Sequence, residues 1–258
     1  MRKIFPLLFI LIIQACAFKS AAVGQLDTLI EYQTASRLDL YRYQKQQLEK
    51  DVATLLTQQQ KSLSDVKKLL SSLDIQKQEN LQTQWSELTL LYHRLALAYG
   101  EILSAHLASL DKSQQKTFFA KMKEENQEIK DRANGQTVDK LEERAEFFLG
   151  DINDKQKEVF KRYLPVIKLR AEARLKRRES LLKYFKKTFE QKQSTKLKKT
   201  QIYQAFVSYQ DETLKSQQDT YSLIKEITRL ADAKQIKTFS EKKIEAIELL
   251  TIFEKTEY

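Results

Sequence analysis

Glycine and proline are scarce in this chain, at four and two of 258 residues. Average usage is roughly 7% and 5%. A strand-rich fold needs turn residues every 8–12 positions or so, and that supply is missing, so a β-sandwich or barrel is excluded. Leu, Lys, Gln and Glu dominate instead, and all are good helix formers. The expected fold is all-α: an elongated bundle of long antiparallel helices with shorter helices between. The single cysteine, Cys16, rules out an internal disulfide. Histidine is limited to His93 and His106, and neither His-x3-His nor Glu-x-x-His occurs, so zinc-peptidase and di-iron bundle signatures are absent. There is no glycine-rich loop to cradle phosphate and no serine in a nucleophile-elbow context. Adjacent acids such as Glu142 and Glu143 face different directions on a helix. These absences point away from an enzyme and imply no cofactor and no metal.

Long hydrophobic runs are missing too, apart from Ile4 to Ile13 behind Arg2 and Lys3. A membrane span needs roughly 20 apolar residues. The shorter run has the layout of a secretory signal. Its ending, Ile13-Gln14-Ala15-Cys16, resembles the bacterial lipobox. That resemblance implies removal of residues 1–15 and lipidation of Cys16, with residues 16–25 as a lipidated tether and 26–258 as a single helical domain. The resemblance also implies three acyl chains, and since each buried methylene contributes about 0.8 kcal/mol, the anchor would be effectively permanent. By resemblance to bacterial lipoprotein sorting rules, Ala17 in place of Asp implies the periplasmic side of the outer membrane rather than retention at the inner membrane. The expected partner through Cys16 is therefore a membrane, and an exported chain excludes nucleic acid.

The apolar spacing predicts helices over 26–36 and 40–73, then a cleaner one over 76–109. There Leu81, Trp85, Leu88, Tyr92, Leu95, Tyr99, Ile102 and His106 alternate steps of four and three. His106 on this stripe reads as a core histidine near a helix end. Further helices are expected over 112–132, 138–149, from Asn153 through the basic region, over 200–233 and over 240–253. Gly150 should end one of them, and Pro165 should kink or split another.

Two turns repeat one pattern: Leu110-Asp111-Lys112-Ser113-Gln114 and Ile152-Asn153-Asp154-Lys155-Gln156. The physics is a capping box. Asp111 or Asn153 accepts the N3 amide, and Gln114 or Gln156 reaches back to the cap amide. Leu110 or Ile152, just before the cap, packs into the core. Each cap should contribute about 1 kcal/mol. Leu40 to Gln44 has the spacing without a capping side chain, and the bare spacing recurs at Leu29-Gln33 and Leu214-Gln218.

With Leu26-Asp27, Asp39-Leu40 and the stretch Arg144-Ala145-Glu146-Phe147, these turns resemble a family of uncharacterised proteobacterial lipoproteins over about residues 1 to 190. Members have a lipobox and helices opened by Leu-Thr-Pro-Glu-Gln-like turns. The turns are also similar to those of the LTxxQ periplasmic proteins of the Spy and CpxP type. That second resemblance implies a small helical stress protein with a holdase or sensor role.

Charge is the remaining signal. Lys157 to Lys199 holds sixteen Lys or Arg against four Glu, a net of +12. The chain without Arg2 and Lys3 has 43 basic and 35 acidic residues, a net of +8, so this one segment carries the whole positive excess. The candidate basic surface is Arg174, Lys176, Arg177, Arg178, Lys183, Lys186 and Lys187, interleaved with Leu181, Leu182, Phe185 and Phe189. Such a helix either presents a solvated bundle face or docks on protein clients, anionic lipid or wall polymer. The functional expectation is a non-catalytic binding, scaffold or holdase-like lipoprotein, with a structural envelope component as the alternative.

Overall fold

Four turns organise the molecule, and each is built from the same small set of bonds. The computed structural model describes residues 26–135 and 137–255. The signal segment 1–15, Cys16 and the tether to residue 25 lie outside the described residues. The described residues form helices α1 (Leu26–Leu38), α2 (Arg42–Gln58), α3 (Gln60–Ser72), α4 (Gln78–Ala108), α5 (Lys112–Asn134), α6 (Val138–Leu149), α7 (Asp154–Glu190), α8 (Thr195–Lys215), α9 (Gln218–Arg229) and α10 (Ala233–Lys255). No strand occurs among them, as the shortage of turn residues requires. None of these helices is long and apolar enough to cross a membrane.

Asp111 and Asn153 cap α5 and α7 as complete capping boxes. Asp111 Oδ1 accepts from Gln114 N at 2.9 Å, and Asn153 Oδ1 accepts from Gln156 N at 3.0 Å. Leu110 and Ile152 are both buried. The turn at Leu40 works through its glutamine, because Gln44 Oε1 accepts from Tyr41 N at 2.9 Å. A fourth box opens α10: Asp232 Oδ1 accepts from Gln235 N at 2.9 Å, and Gln235 Oε1 accepts from Asp232 N at 3.2 Å.

The four glutamines meet in two buried pairs. Gln156 Nε2 donates to Gln235 Oε1 at 3.0 Å, and Gln235 Nε2 donates back to Gln156 Oε1 at 2.8 Å. Their spare protons go to the carbonyls of Ile227 at 3.1 Å and Asp151 at 2.5 Å. Every donor and acceptor of both amides is thus used, which lets them be 0% and 1% exposed without a desolvation penalty. Gln44 and Gln114 form the same pair, with Gln114 Nε2 to Gln44 Oε1 at 2.7 Å and to Asp39 O at 2.9 Å. Each pair ties together the starts of two helices, α2 with α5 and α7 with α10.

These pairs mark a repeated arrangement. Gln156 lies 112 residues after Gln44, and Asp151 lies 112 after Asp39. In the first half, α1 packs on α2 and α5; in the second, α6 packs on α7 and α10. The long helix α7 corresponds to α2 and α3, which are separated only by Gln59, and α4 corresponds to α8 and α9. Across the halves α4 packs on α8, α5 on α7, and α10 on α3, so each half lends its last helix to the other.

Several helix boundaries differ from the periodicity. The helix expected over 40–73 is interrupted at Gln59. Pro165 does not split α7, which runs unbroken from Asp154 to Glu190. Proline in a helix interior loses one hydrogen bond and crowds the preceding turn, but the apolar contacts of α7 on both sides of Pro165 hold the helix together. The stretch expected as one helix over 200–233 is two, divided at Ser216 and Gln217, and the last helix starts at Ala233 rather than at Ser240 because the Asp232 box opens it. Gly150 ends α6 with φ of 73°, in the region that suits glycine.

Two apolar clusters form the interior. The larger joins α1 to α5 with Phe185, Phe189, Ile202 and Leu250. The smaller gathers Leu141, Leu149, Ile152, Val159, Phe160 and Ile227 around the start of α7. His106 is buried at the end of α4, with Nε2 2.9 Å from Asp51 Oδ2.

Candidate functional site

Helix α7 passes from the smaller cluster to the larger, and four inward arginines lie between them. Near its start, Val159, Phe160 and Ile167 belong to the smaller cluster. Near its end, Leu181, Leu182, Phe185 and Phe189 belong to the larger. On the same inward face between these groups stand Arg170, Arg174, Arg177 and Arg178, all half-buried. Spacings of three and four keep them in register with the apolar positions.

The seven residues expected to form one basic surface therefore separate. Lys176, Lys183, Lys186 and Lys187 are exposed on the outer face, and none makes an ion pair with a described residue. Leu169 and Tyr184 share that face, at 65% and 41% exposure. Arg174, Arg177 and Arg178 are turned inward, which corrects the single-surface expectation. Their helical positions coincide with the buried stripe, and that register overrides the tendency of charge to face water.

The inward arginines line a cavity of about 460 Å³ bounded by α4 to α9. Arg144, Lys168, Arg170, Arg174, Arg177 and Arg178 line it against Glu125, Glu128 and Asp219, an excess of three positive charges. Arg178 is well bound: Nε donates to Asn126 Oδ1 at 2.8 Å and Nη2 to Glu125 Oε2 at 3.1 Å. Glu125 is shared, because Arg37 Nε reaches its other oxygen at 2.6 Å. Arg170 donates to Thr220 Oγ1. Burial holds the Arg170 guanidinium below its ordinary pKa, with Asp219 opposing that shift and the charge of Arg177 adding to it. The buried Nε of Arg177 has no hydrogen-bond partner.

Tyr92 and Tyr209 stand on the wall opposite, from α4 and α8. Burial drives the Tyr92 phenol far above its ordinary pKa, and the charge of Arg174 draws it back only in part. Ile129, Ala133, Val166, Ile167 and Leu223 supply an apolar side. No group of three or more His, Cys, Asp or Glu among the described residues is placed to hold a metal ion.

Fold and site together define an all-α helical bundle with one basic helix that turns Lys176, Lys183, Lys186 and Lys187 outward and Arg170, Arg174, Arg177 and Arg178 inward. No protein-family model, no curated protein and no solved structure matches the chain.

Proposed function

We propose that this is a non-catalytic envelope lipoprotein, held by a lipidated Cys16 on the periplasmic side of the outer membrane, that acts as a scaffold by docking the outer face of α7 on an anionic lipid surface. The observation that carries the reading is the sorting of charge on α7. Lys176, Lys183, Lys186 and Lys187 project outward and outnumber the exposed Glu172, Glu179 and Glu190 of the same helix, with which they form no ion pair, and they stand beside exposed Leu169 and Tyr184. Each lysine near an anionic surface contributes about 1 kcal/mol, and the leucine and tyrosine suit the apolar–polar boundary of a bilayer. Capture of unfolded clients has less support. Tyr32, Leu90, Leu197 and Ile244 are exposed on four different helices, and outside α7 only Tyr41 and Tyr43 among the described residues, stacked with ring centroids 6.2 Å apart, form an exposed pair, whereas a client surface needs a larger contiguous apolar patch.

Two measurements test the two parts. Fractionation of a Gram-negative host expressing the chain should place it in the outer membrane, and Cys16→Ser should release it or hold it upstream; cytoplasmic location of both forms would refute the lipoprotein. The purified Cys16→Ser protein should sediment with phosphatidylglycerol vesicles, less so at high salt, and not with phosphatidylcholine vesicles. The variant K176E/K183E/K186E/K187E should stay in the supernatant. Absence of binding in the parent protein, or unchanged binding in the variant, would refute the docking face.

A further inference from the structure

The inward arginines call for an explanation that the outer lysines do not supply. A solvated basic helix has no reason to turn guanidinium groups into a half-buried gap between two apolar clusters, because withdrawing charge from water is costly unless it is paired. The three acids of the lining are outnumbered by six cations. Glu125 already serves Arg37 and Arg178, and the cavity keeps an excess of three positive charges. The charge of Arg177 disfavours that of Arg170, and the buried Nε of Arg177 is left without an acceptor. An oxyanion between these side chains would supply that acceptor and relieve the repulsion.

The rest of the wall defines the body of such a ligand. Ile129, Val166, Ile167 and Leu223 offer hydrocarbon contact, and Tyr92 can remain a neutral hydroxyl donor. A volume of about 460 Å³ lies within the range of small-molecule sites, roughly 300–1,000 Å³. Guanidinium forks match carboxylate and phosphate oxygens. The geometry points to this cavity as a binding site for one small amphiphilic anion, with a carboxylate or phosphate head at Arg170 and Arg177 and a hydrocarbon body along Val166 and Leu223. This site is separate from the outer lysine face and does not depend on it.

Isothermal titration of the purified Cys16→Ser protein tests the assignment. Its probes are decanoate, decyl phosphate, decanol and inorganic phosphate. At least one of the two decyl anions should bind one per chain and at least tenfold more tightly than both decanol and inorganic phosphate. Which anion binds better tells whether the head is a carboxylate or a phosphate. Arg177→Gln removes a group whose Nε has no partner, so it should leave the thermal midpoint in place and weaken the anion at least tenfold. Ala171→Phe, which fills the cavity from α7, should weaken it through loss of space while keeping the charge. Lys186→Gln on the outer face should bind as the parent does. Decanol binding as well as the anions would make the site merely apolar, and inorganic phosphate binding as well as decyl phosphate would make it merely cationic. Either result, no binding of any probe, or parental binding by both Arg177→Gln and Ala171→Phe would overturn the proposal.

Discussion

The ring of Phe206 lies against the backbone of Gly100, so close that a Cβ added there would fall 2.2 Å from two ring carbons. This is the contact between α4 and α8, the helices that face each other across the two halves. Gly100 is permissive here because it has no side chain, not because of its φ. In a free helix Gly→Ala gains about 1 kcal/mol. At this site overpacking, which costs about 1–3 kcal/mol, should outweigh that gain. Gly100→Ala should lower the urea midpoint, and Gly100→Ala/Phe206→Leu should recover part of the loss. Equal loss in the single and double variants would show that the ring is not the obstacle.

The paired glutamines predict a pH-dependent variant. Gln156→Glu replaces an amide that uses all its donors and acceptors with a carboxylate that has none to donate. Its folded pKa must be raised by burial. The charge penalty is therefore absent below the unfolded value of about 4.3, grows as pH rises and is complete above the folded value. The variant should be clearly less stable than the parent at pH 7 and closer to it at pH 4. It should remain below the parent throughout, because one hydroxyl replaces two N–H donors. A deficit that does not change with pH would mean that residue 156 is hydrated rather than buried.

Pro165 is exposed inside an unbroken helix. Pro165→Ala restores a backbone donor and removes the clash with the preceding turn. It should stabilise the protein by up to about 3 kcal/mol, read by chemical denaturation. A loss of stability would show that the helix is bent at this point and needs the bend.

Asp111 gives the acid limb. Its carboxyl is held below the ordinary range first by the Gln114 amide and then by the Tyr41 hydroxyl, which lies 2.7 Å from Oδ2. A depressed carboxyl contributes stability that is present above its unfolded pKa and is lost as pH falls through the folded one. Asp111→Asn should therefore be less stable than the parent at neutral pH, and the difference should shrink below the carboxylate range. Tyr41→Phe should reduce the same difference. Parallel stability curves down to low pH would remove Asp111 from the acid transition.

Sequence reasoning reached the fold class and the caps because both are local. Scarcity of glycine and proline constrains every segment at once, and the boxes at Asp111 and Asn153 announce themselves within five residues. The box at Asp232 escaped because alanine, not a large apolar residue, precedes it in a chain where glutamine is common. Its distinguishing property is tertiary: Gln235 finds Gln156, 79 residues away, whereas spacing alone cannot separate it from Leu214-Gln218, which runs from the end of α8 to the start of α9. The inward arginines had a readable signal. Arg170, Arg174 and Arg177 fall in step with Val166, Leu181 and Phe185, and that register, rather than their charge, decides which way they face.

Two identical subunits joined by a twofold axis would carry the arginine cluster twice or not at all. Here the two halves belong to one chain, and they differ. Counting 112 residues back from Arg170, Arg174 and Arg177 leads to Gln58, Ser62 and Asp65. The fused arrangement keeps its halves together at any dilution, since the second half is always at hand. It also frees one of them to specialise while the other maintains the frame. The consequence is a molecule that needs no second copy to be complete and carries one such cluster per chain.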